Sequence, residues 1–334
     1  MIADVLLEGA AQPAPRVWFE VAERGELVVP CPLVSRGRPV FSSGGAPGSG
    51  LGEVRWVAVQ AGVGPAQLLV NWAAHGGSVP ADYVIETSAG STNGRDGEWR
   101  RELSVAQNTA AARAHVIEFD GQSWVRLSFE GEASRVLEGA EPFARLDLHD
   151  ASNGSDDCWL LLGDPGLVGA PASVAGETGW AGGINERYPG YFPALVDEAR
   201  TGELPARVLE RLDEMLATHS AARRVAMAFA AAAVSAAGEV ALEALVAAVI
   251  ERGRLPVLAR APAFAGASRE AVAEANRRID AIERRHGLVP GPDLAAWFAA
   301  HPEQLDAASR PTLEGRRAIE RLWVEALDVW YVPQ

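Results

Sequence analysis

Short apolar runs separated by polar and glycine-containing turns fill the first 150 residues. Five runs alternate in polarity or are dense in β-branched and aromatic side chains: 54–59, 67–72, 83–87, 115–119 and 124–129. Turn residues such as Gly76-Gly77 and Asp120-Gly121 lie between them. No helical period is evident in this part of the sequence. The pattern therefore predicts an all-β sandwich over residues 1–150.

From residue 151 onward, apolar runs alternate with helical patterns. The runs 158–162, 225–229 and 255–259 predict buried strands, and helices are predicted at 205–218, 239–253, from Ser268 to Gly287, and after Thr312. Strands that alternate with helices at this spacing indicate a parallel sheet wrapped by right-handed crossovers. The polar segment 151–157 is the predicted junction. The sequence thus predicts two domains, 1–150 and 151–334.

Composition excludes several functional classes. The formal net charge is −14, so the chain would repel phosphate backbones and nucleic acid is not an expected partner. Cys31 and Cys158 fall in different predicted domains, which argues against a disulfide, and the six histidines lack metal-ligand spacing. No metal and no other cofactor is expected. We find no signal-peptide pattern and no apolar run that could cross a bilayer. The expectation is a soluble, cytoplasmic protein without a membrane partner.

Motifs in residues 155–330 resemble those of the SGNH/GDSL hydrolases. The segment Trp159-Leu-Leu-Leu-Gly-Asp164 resembles the first-strand motif, in which a serine follows the Gly-Asp pair. The segment Ser309-Arg310-Pro311-Thr312 resembles the last block, in which Asp-x-x-His-Pro-Thr introduces the final helix. Segments 187–195 and 288–294 also resemble the family. The resemblance implies a three-layer, flavodoxin-like α/β fold with a parallel sheet.

At every position that the same resemblance matches to a catalytic residue, this sequence has a residue that cannot perform the catalytic role. Pro165 stands where the serine nucleophile belongs, Arg310 where the histidine belongs, and Ala307 where the aspartate belongs. Ala199 and Ala232 stand where a glycine and an asparagine would complete the oxyanion hole. Proline has neither a nucleophile nor an N–H, and arginine stays protonated. A Ser-His-Asp esterase activity is therefore predicted to be absent.

Six residues remain as candidate ligand contacts. The glycine-rich segment 166–189 is predicted to be a loop that follows the first strand at its carboxyl end, where α/β folds place ligands. The candidates are Asp164, Trp180, Asn185, Arg187, Tyr188 and Arg310. Asp164 could bond the loop backbone or face Arg310 across the old cleft, and Arg310 could face solvent or hold a carboxylate. Trp180 could offer a stacking surface or pack in the core.

The amino-terminal half resembles a different kind of module. Asp82-Tyr-Val-Ile-Glu-Thr-Ser88, Gly97-Glu-Trp99 and Trp124-Val-Arg-Leu127 resemble segments of discoidin-type (F5/8C-like) modules. This likeness implies a jelly-roll domain similar to a carbohydrate-binding module. Its aromatic positions also suit plain strand packing, so both interpretations stay open.

Three functional hypotheses follow. The first is a non-hydrolytic, pseudoenzyme-type protein that binds a peptide, a glycan or an acyl metabolite, as an accessory protein of a biosynthetic pathway. The second is an enzyme repurposed for a non-hydrolytic step such as cyclisation. The third is a structural scaffold, for which oligomerisation would be a natural role.

Overall fold

A computed structural model describes the chain in several stretches. They are residues 17–21, 27–28, 40–43, 54–61, 65–73, 80–92, 94, 96–110, 112–130, 145–152, 157–169, 179–188, 191, 193–263 and 267–331. The contacts within the chain group its residues into two compact units, and the main boundary between these units lies near residue 155. The division into two domains, 1–150 and 151–334, stays a prediction.

Ten strands lie among the described residues of the amino-terminal unit. They are β1 Val17–Val21, β2 Leu27–Val28, β3 Val40–Ser43, β4 Val54–Gln60, β5 Gln67–Ala73, β6 Asp82–Ser88, β7 Arg100–Val105, β8 Ala112–Glu118, β9 Trp124–Glu130 and β10 Arg145–Asp150. They form two antiparallel sheets, with the orders β2-β1-β10-β5-β8 and β3-β4-β9-β6-β7. The five predicted runs overlap β4, β5, β6, β8 and β9, and the all-β sandwich over residues 1–150 stays a prediction.

Both sheets contribute side chains to one hydrophobic core. The cluster joins Leu68, Val70 and Trp72 of β5 to Tyr83 and Ile85 of β6. These positions alternate along each strand, so they lie on one face of it, and the intervening Leu69, Asn71 and Val84 are buried as well. Trp72 and Tyr83 meet edge to face, with ring centroids 5.1 Å apart. The likeness to discoidin-type modules stays a prediction.

The carboxyl-terminal unit is built on a five-stranded parallel sheet. Its strands are β11 Cys158–Gly163, β12 Ala194–Asp197, β13 Arg224–Ala228, β14 Leu255–Arg260 and β15 Pro290–Asp293. Their order in the sheet is β12-β11-β13-β14-β15, with every pairing parallel. Every residue of β11 is buried. The predicted parallel sheet, and its flavodoxin-like strand order, are confirmed.

Seven α-helices accompany this sheet among the described residues. They are α1 Pro165–Val168, α2 Trp180–Arg187, α3 Pro205–Thr218, α4 Ala236–Glu251, α5 Arg269–His286, α6 Leu294–Ala300 and α7 Leu313–Leu327. The helix predicted at 205–218 is confirmed at both ends. Ser268 caps α5, Gly287 ends it in the left-handed conformation, and Thr312 caps α7, as predicted. None of the described helices combines the length and apolarity needed to cross a membrane.

The described residues of the segment 166–189 include helical turns that the sequence analysis did not predict. Two helices, α1 and α2, lie in it where a glycine-rich loop was predicted. Pro165 starts α1 because its fixed φ suits the first helical position, where no N–H is needed. The prediction of a loop throughout this segment was wrong.

Candidate functional site

The carboxyl edge of the parallel sheet is the candidate site. All five strands run in one direction, so the segments that follow them lie at the same edge, where open α/β sheets bind ligands. Pro165 follows β11, Ala199 follows β12, and Ala232 lies in the short 3-10 turn Ala231–Val234 after β13. Five positions of this sequence match catalytic residues of the SGNH/GDSL motifs in the sequence analysis. The structure brings three of them to one edge of the sheet.

Asp164 organises the loops of this edge. Its Oδ1 accepts the N–H of Gly166 at 2.9 Å and its Oδ2 accepts the N–H of Gly202 at 3.2 Å. The carboxylate therefore caps α1 and holds the loop that follows β12. Of the two roles left open by the sequence, this is the structural one.

Backbone N–H groups at this edge bond to partners within the chain. Asp164 N–H donates to Ala228 O at 2.8 Å, and Arg200 N–H donates to Gly163 O at 2.8 Å. Ala199 N–H donates to Asp197 Oδ1 at 3.0 Å. Pro165 has no N–H to donate. An oxyanion needs several convergent free donors, and these donors are already used.

Arg310 faces solvent. Its side chain is 76% exposed and pairs with Asp306, with 3.0 Å between Nη2 and Oδ2. Asp306 also accepts the backbone N–H groups of Ala308 and Arg310. The backbone bond from Arg310 is the largest cause of the lowered pKa of Asp306. Ala307 is exposed in the same turn. Arg310 thus stabilises its own turn through Asp306.

Trp180 is a core residue. It is fully buried, its Nε1 donates to Val168 O at 3.2 Å, and its ring packs against Trp159 and Trp323. Trp180 does not offer the exposed stacking surface that the sequence allowed, because its ring packs against Trp159 of β11. The neighbouring Gly182 and Gly183 suggested that Trp180 would be exposed, but they belong to α2, which packs on α7. A Cβ atom at Gly183 would lie 2.7 Å from Val324 Cγ2.

Asn185, Arg187 and Tyr188 lie at the far end of α2, away from the carboxyl edge. Tyr188 donates to Asp328 Oδ1 at 2.6 Å, and Arg187 pairs with Asp328 Oδ2 at 2.7 Å. Asn185 Nδ2 donates to Tyr191 O at 2.8 Å, just before β12 begins. The chain has returned to the amino ends of the strands, so these three residues do not join Asp164 at the candidate site.

Sequence reasoning missed a cluster of ionisable side chains with little exposed surface beside the edge. Glu198, Glu203, Arg211 and His219 are joined by hydrogen bonds between the loop after β12 and α3. The sequence signal was weak, because glutamate and arginine at helical spacing usually mark a solvated face. Only the packing of the loop against α3 separates this group from such a face.

Among the described residues, no group of three or more His, Cys, Asp or Glu side chains is arranged to hold a metal ion.

Comparison with known proteins gives likeness at the level of structure. No family model and no curated protein matches the chain. A crystal structure of TesA is 15% identical, covers 52% of this chain and 99% of its own, and has a TM-score of 0.45. Axe2, an acetylxylan esterase from Geobacillus stearothermophilus, is 16% identical over 54% of this chain and 99% of its own, with a TM-score of 0.44. A putative lipolytic protein of the G-D-S-L family from Desulfitobacterium hafniense is 17% identical over 52% of this chain and 100% of its own, with a TM-score of 0.42. These alignments fall on the carboxyl-terminal half.

Proposed function

We propose that this chain is a non-hydrolytic protein of the SGNH/GDSL type that acts by binding a ligand rather than by cleaving an ester. The observation that carries the proposal is the chemistry of the carboxyl edge. Pro165 occupies the nucleophile position, and the neighbouring backbone N–H groups bond to Asp164, Asp197 and the backbone of β11 and β13. Acyl transfer needs a nucleophile, a base and an oxyanion hole, and the matched positions supply none of them.

The exposure of residues at this edge supports a binding role. Thr201 and Gly202 are exposed on the loop after β12, and Ala232, Ala236 and Ala237 are exposed beyond β13. This surface combines a polar loop with a small apolar rim, which suits an extended ligand better than a point charge. The proposed ligand classes are a peptide, a glycan or a short acyl metabolite.

Repurposed catalysis has less support. A new reaction at this edge would draw on the ionisable candidates Asp164 and Arg310. Asp164 already accepts two backbone N–H groups, and Arg310 pairs with Asp306. A general acid or base must reach its substrate through a free hydrogen-bonding position. A scaffold role is tested by the same experiment that tests binding.

The first experiment measures hydrolysis of p-nitrophenyl acetate and p-nitrophenyl butyrate by the full chain. The expected rate equals that of heat-denatured protein, because loss of a triad member alone costs orders of magnitude. The variant Pro165→Ser/Ala307→Asp/Arg310→His is compared with Ala307→Asp/Arg310→His, which differs only at the nucleophile. Saturable turnover by the wild-type chain, retained in Asp164→Asn and Arg310→Ala, would overturn the non-hydrolytic proposal and require another nucleophile.

The second experiment measures ligand-dependent thermal stability with xylohexaose, acetyl-coenzyme A and a set of decapeptides. A ligand that binds only the folded state raises the free energy of unfolding by RT ln(1 + [L]/Kd), so the midpoint rises with the logarithm of the ligand concentration once that concentration exceeds Kd. We expect one class to do so, and Ala236→Arg at the edge to abolish the effect. Ala217→Arg, on the exposed surface of α3, serves as the matched control. Stabilisation by no class would overturn ligand binding at this edge in favour of a scaffold.

A further inference from the structure

Arg113 of β8 is a cation without a counter-ion among the described residues. Its Nη1 donates to Asn108 Oδ1 at 2.9 Å, and its buried Nε has no hydrogen-bond partner. No carboxylate in the described stretches forms an ion pair with this guanidinium. The side chain therefore carries a positive charge that is bonded only to a neutral amide within this part of the chain.

Arg113 lies at the polar end of the space between the two sheets. Side chains two residues apart in a strand share a face, so Arg113 and His115 lie on the same face of β8 as Ile117, which belongs to the hydrophobic core. Trp72 of β5, which is fully buried, is the antiparallel partner of Arg113. Ile117 is buried, whereas Arg113 and His115 keep part of their surface exposed. A ligand can therefore approach Arg113 from solvent.

Tyr83 of β6 does not act as the missing counter-ion. Its hydroxyl lies 2.6 Å from His115 Nε2. Burial raises the pKa of Tyr83 to about 12, although the charge of Arg113 acts to lower it. The phenol therefore stays protonated at neutral pH and brings no negative charge to the guanidinium. Asp82, the preceding residue, lies on the opposite face of β6 and accepts the backbone N–H of Gln107 at 2.9 Å.

A partly buried charge without a counter-ion destabilises a fold, and a buried N–H without an acceptor adds to the cost. A guanidinium binds a carboxylate through a planar fork of N–H groups, and a monoanion would cancel the single charge of Arg113. We propose that Arg113 binds the carboxylate group of a small ligand at this end of the inter-sheet space, beside the buried rings of Trp72 and Tyr83.

The charge of the whole chain makes such binding selective. The formal net charge of −14 repels anions in general, so an anion is retained only where a local cation and the surrounding shape fit it. A phosphate dianion would leave one negative charge uncompensated beside Arg113. The site lies in the amino-terminal unit and does not depend on the function proposed for the carboxyl edge of the parallel sheet.

The test is isothermal titration calorimetry of the full chain at constant ionic strength. The probes are N-acetylglycine and methyl β-glucuronide, each compared with its neutral counterpart, N-acetylglycinamide or methyl β-glucoside. At least one carboxylate should bind about tenfold more tightly than its neutral counterpart, the effect of a charge-assisted hydrogen bond. The tighter of the two distinguishes an amino-acid carboxylate from an acidic sugar. Equal binding of charged and neutral probes, no binding of either carboxylate, or tighter binding of inorganic phosphate would overturn the proposal.

Substitution of Arg113 separates ligand binding from a purely structural role. Arg113→Met keeps the apolar stem without the charge, so the Kd of the carboxylate should rise at least about tenfold. The unfolding midpoint of the ligand-free variant should stay equal or rise, because an uncompensated charge is removed. Arg113→Lys keeps the charge without the planar fork and should bind with intermediate affinity.

Arg100→Met is the matched control, since Arg100 is an exposed arginine of β7 that pairs with Glu102. Its carboxylate affinity should equal that of the wild-type chain. A lower midpoint in Arg113→Met together with unchanged carboxylate affinity would show that Arg113 only supports Asn108 and would contradict the proposal.

Discussion

Glu283 is a buried carboxyl group that makes the stability of the protein depend on pH. It is 6% exposed on α5, and its Oε1 has no hydrogen-bond partner among the described residues. The nearby Arg260 is bonded to Asp280 at 2.8 Å and lies 3.6 Å from Asp293, so it does not neutralise Glu283 directly. Burial raises the pKa of Glu283 to about 7, against the opposing charge of Arg260. The folded state therefore binds a proton on Glu283 more tightly than the unfolded state does.

The sign of the resulting stability change is fixed by linkage. Stability falls as the pH rises from about 4.5 to about 7, because the folded protein must then hold a buried carboxylate. Glu283→Gln should raise the free energy of unfolding at pH 8 by about 1 to 2 kcal/mol, allowing for solvent screening, with little effect at pH 4.5. Urea unfolding followed by tryptophan fluorescence measures this. Glu251→Gln, at the exposed end of α4, is the control, and equal gains for Glu283→Gln at both pH values would contradict the argument.

At the scale of elements, the close approach of β11 and β13 depends on one glycine. Gly163 ends β11 with a φ of +97°, and a Cβ there would lie 2.0 Å from Ala228 O. Ala228 O also accepts the N–H of Asp164. No larger residue fits without separating the two strands at the candidate site.

Gly163→Ala should therefore destabilise the α/β unit by more than about 3 kcal/mol, the combined cost of backbone strain and overpacking. Gly253→Ala separates these two causes, because Gly253 has a φ of +70° with open space around its Cβ. Its expected cost is about 1 to 2 kcal/mol. Thermal unfolding of both variants measures the difference. Equal losses would show that the contact with Ala228 is unimportant.

The elements that the sequence predicted are those with a strong local signal. Pro205 and the leucine face define α3, and Ser268 with Gly287 defines α5. β15 was missed because its sequence, Pro-Gly-Pro-Asp, contradicts strand propensity. Gly291 permits the approach to Leu258 O that makes it a strand, and this contact is not encoded locally.

For the candidate site, residue identities could be read from the motifs. The burial of Trp180 and the position of Arg187 and Tyr188 could not, because both depend on where α2 packs.

At the scale of the α/β unit, a polar and aromatic cluster joins its beginning to its end. Asp157 precedes β11 and accepts the Tyr331 hydroxyl at 2.6 Å and Arg224 Nη1 at 3.3 Å. Arg224 is buried, with its guanidinium 4.6 Å from the centroid of the Trp330 ring. The Trp159 indole also donates to the Tyr331 oxygen at 3.2 Å. The aromatic rings of the segment after α7 therefore help to stabilise a buried cation whose hydrogen bond to Asp157 is long.

Tyr331→Phe tests whether this junction stabilises the unit. The substitution removes the shortest bond to Asp157 and leaves the Trp159 N–H with a weaker partner, so we expect a loss of about 1 to 2 kcal/mol. Burial raises the pKa of Tyr331 well above its usual value, so the loss should be the same from pH 6 to pH 9. Hydrogen exchange of the β11 amides measures it. Tyr188→Phe removes a bond of the same length, to Asp328, from a less buried position and should cost less than half as much. A larger loss for Tyr188→Phe would mean that α2, rather than the contact with Asp157, holds the carboxyl-terminal segment in place.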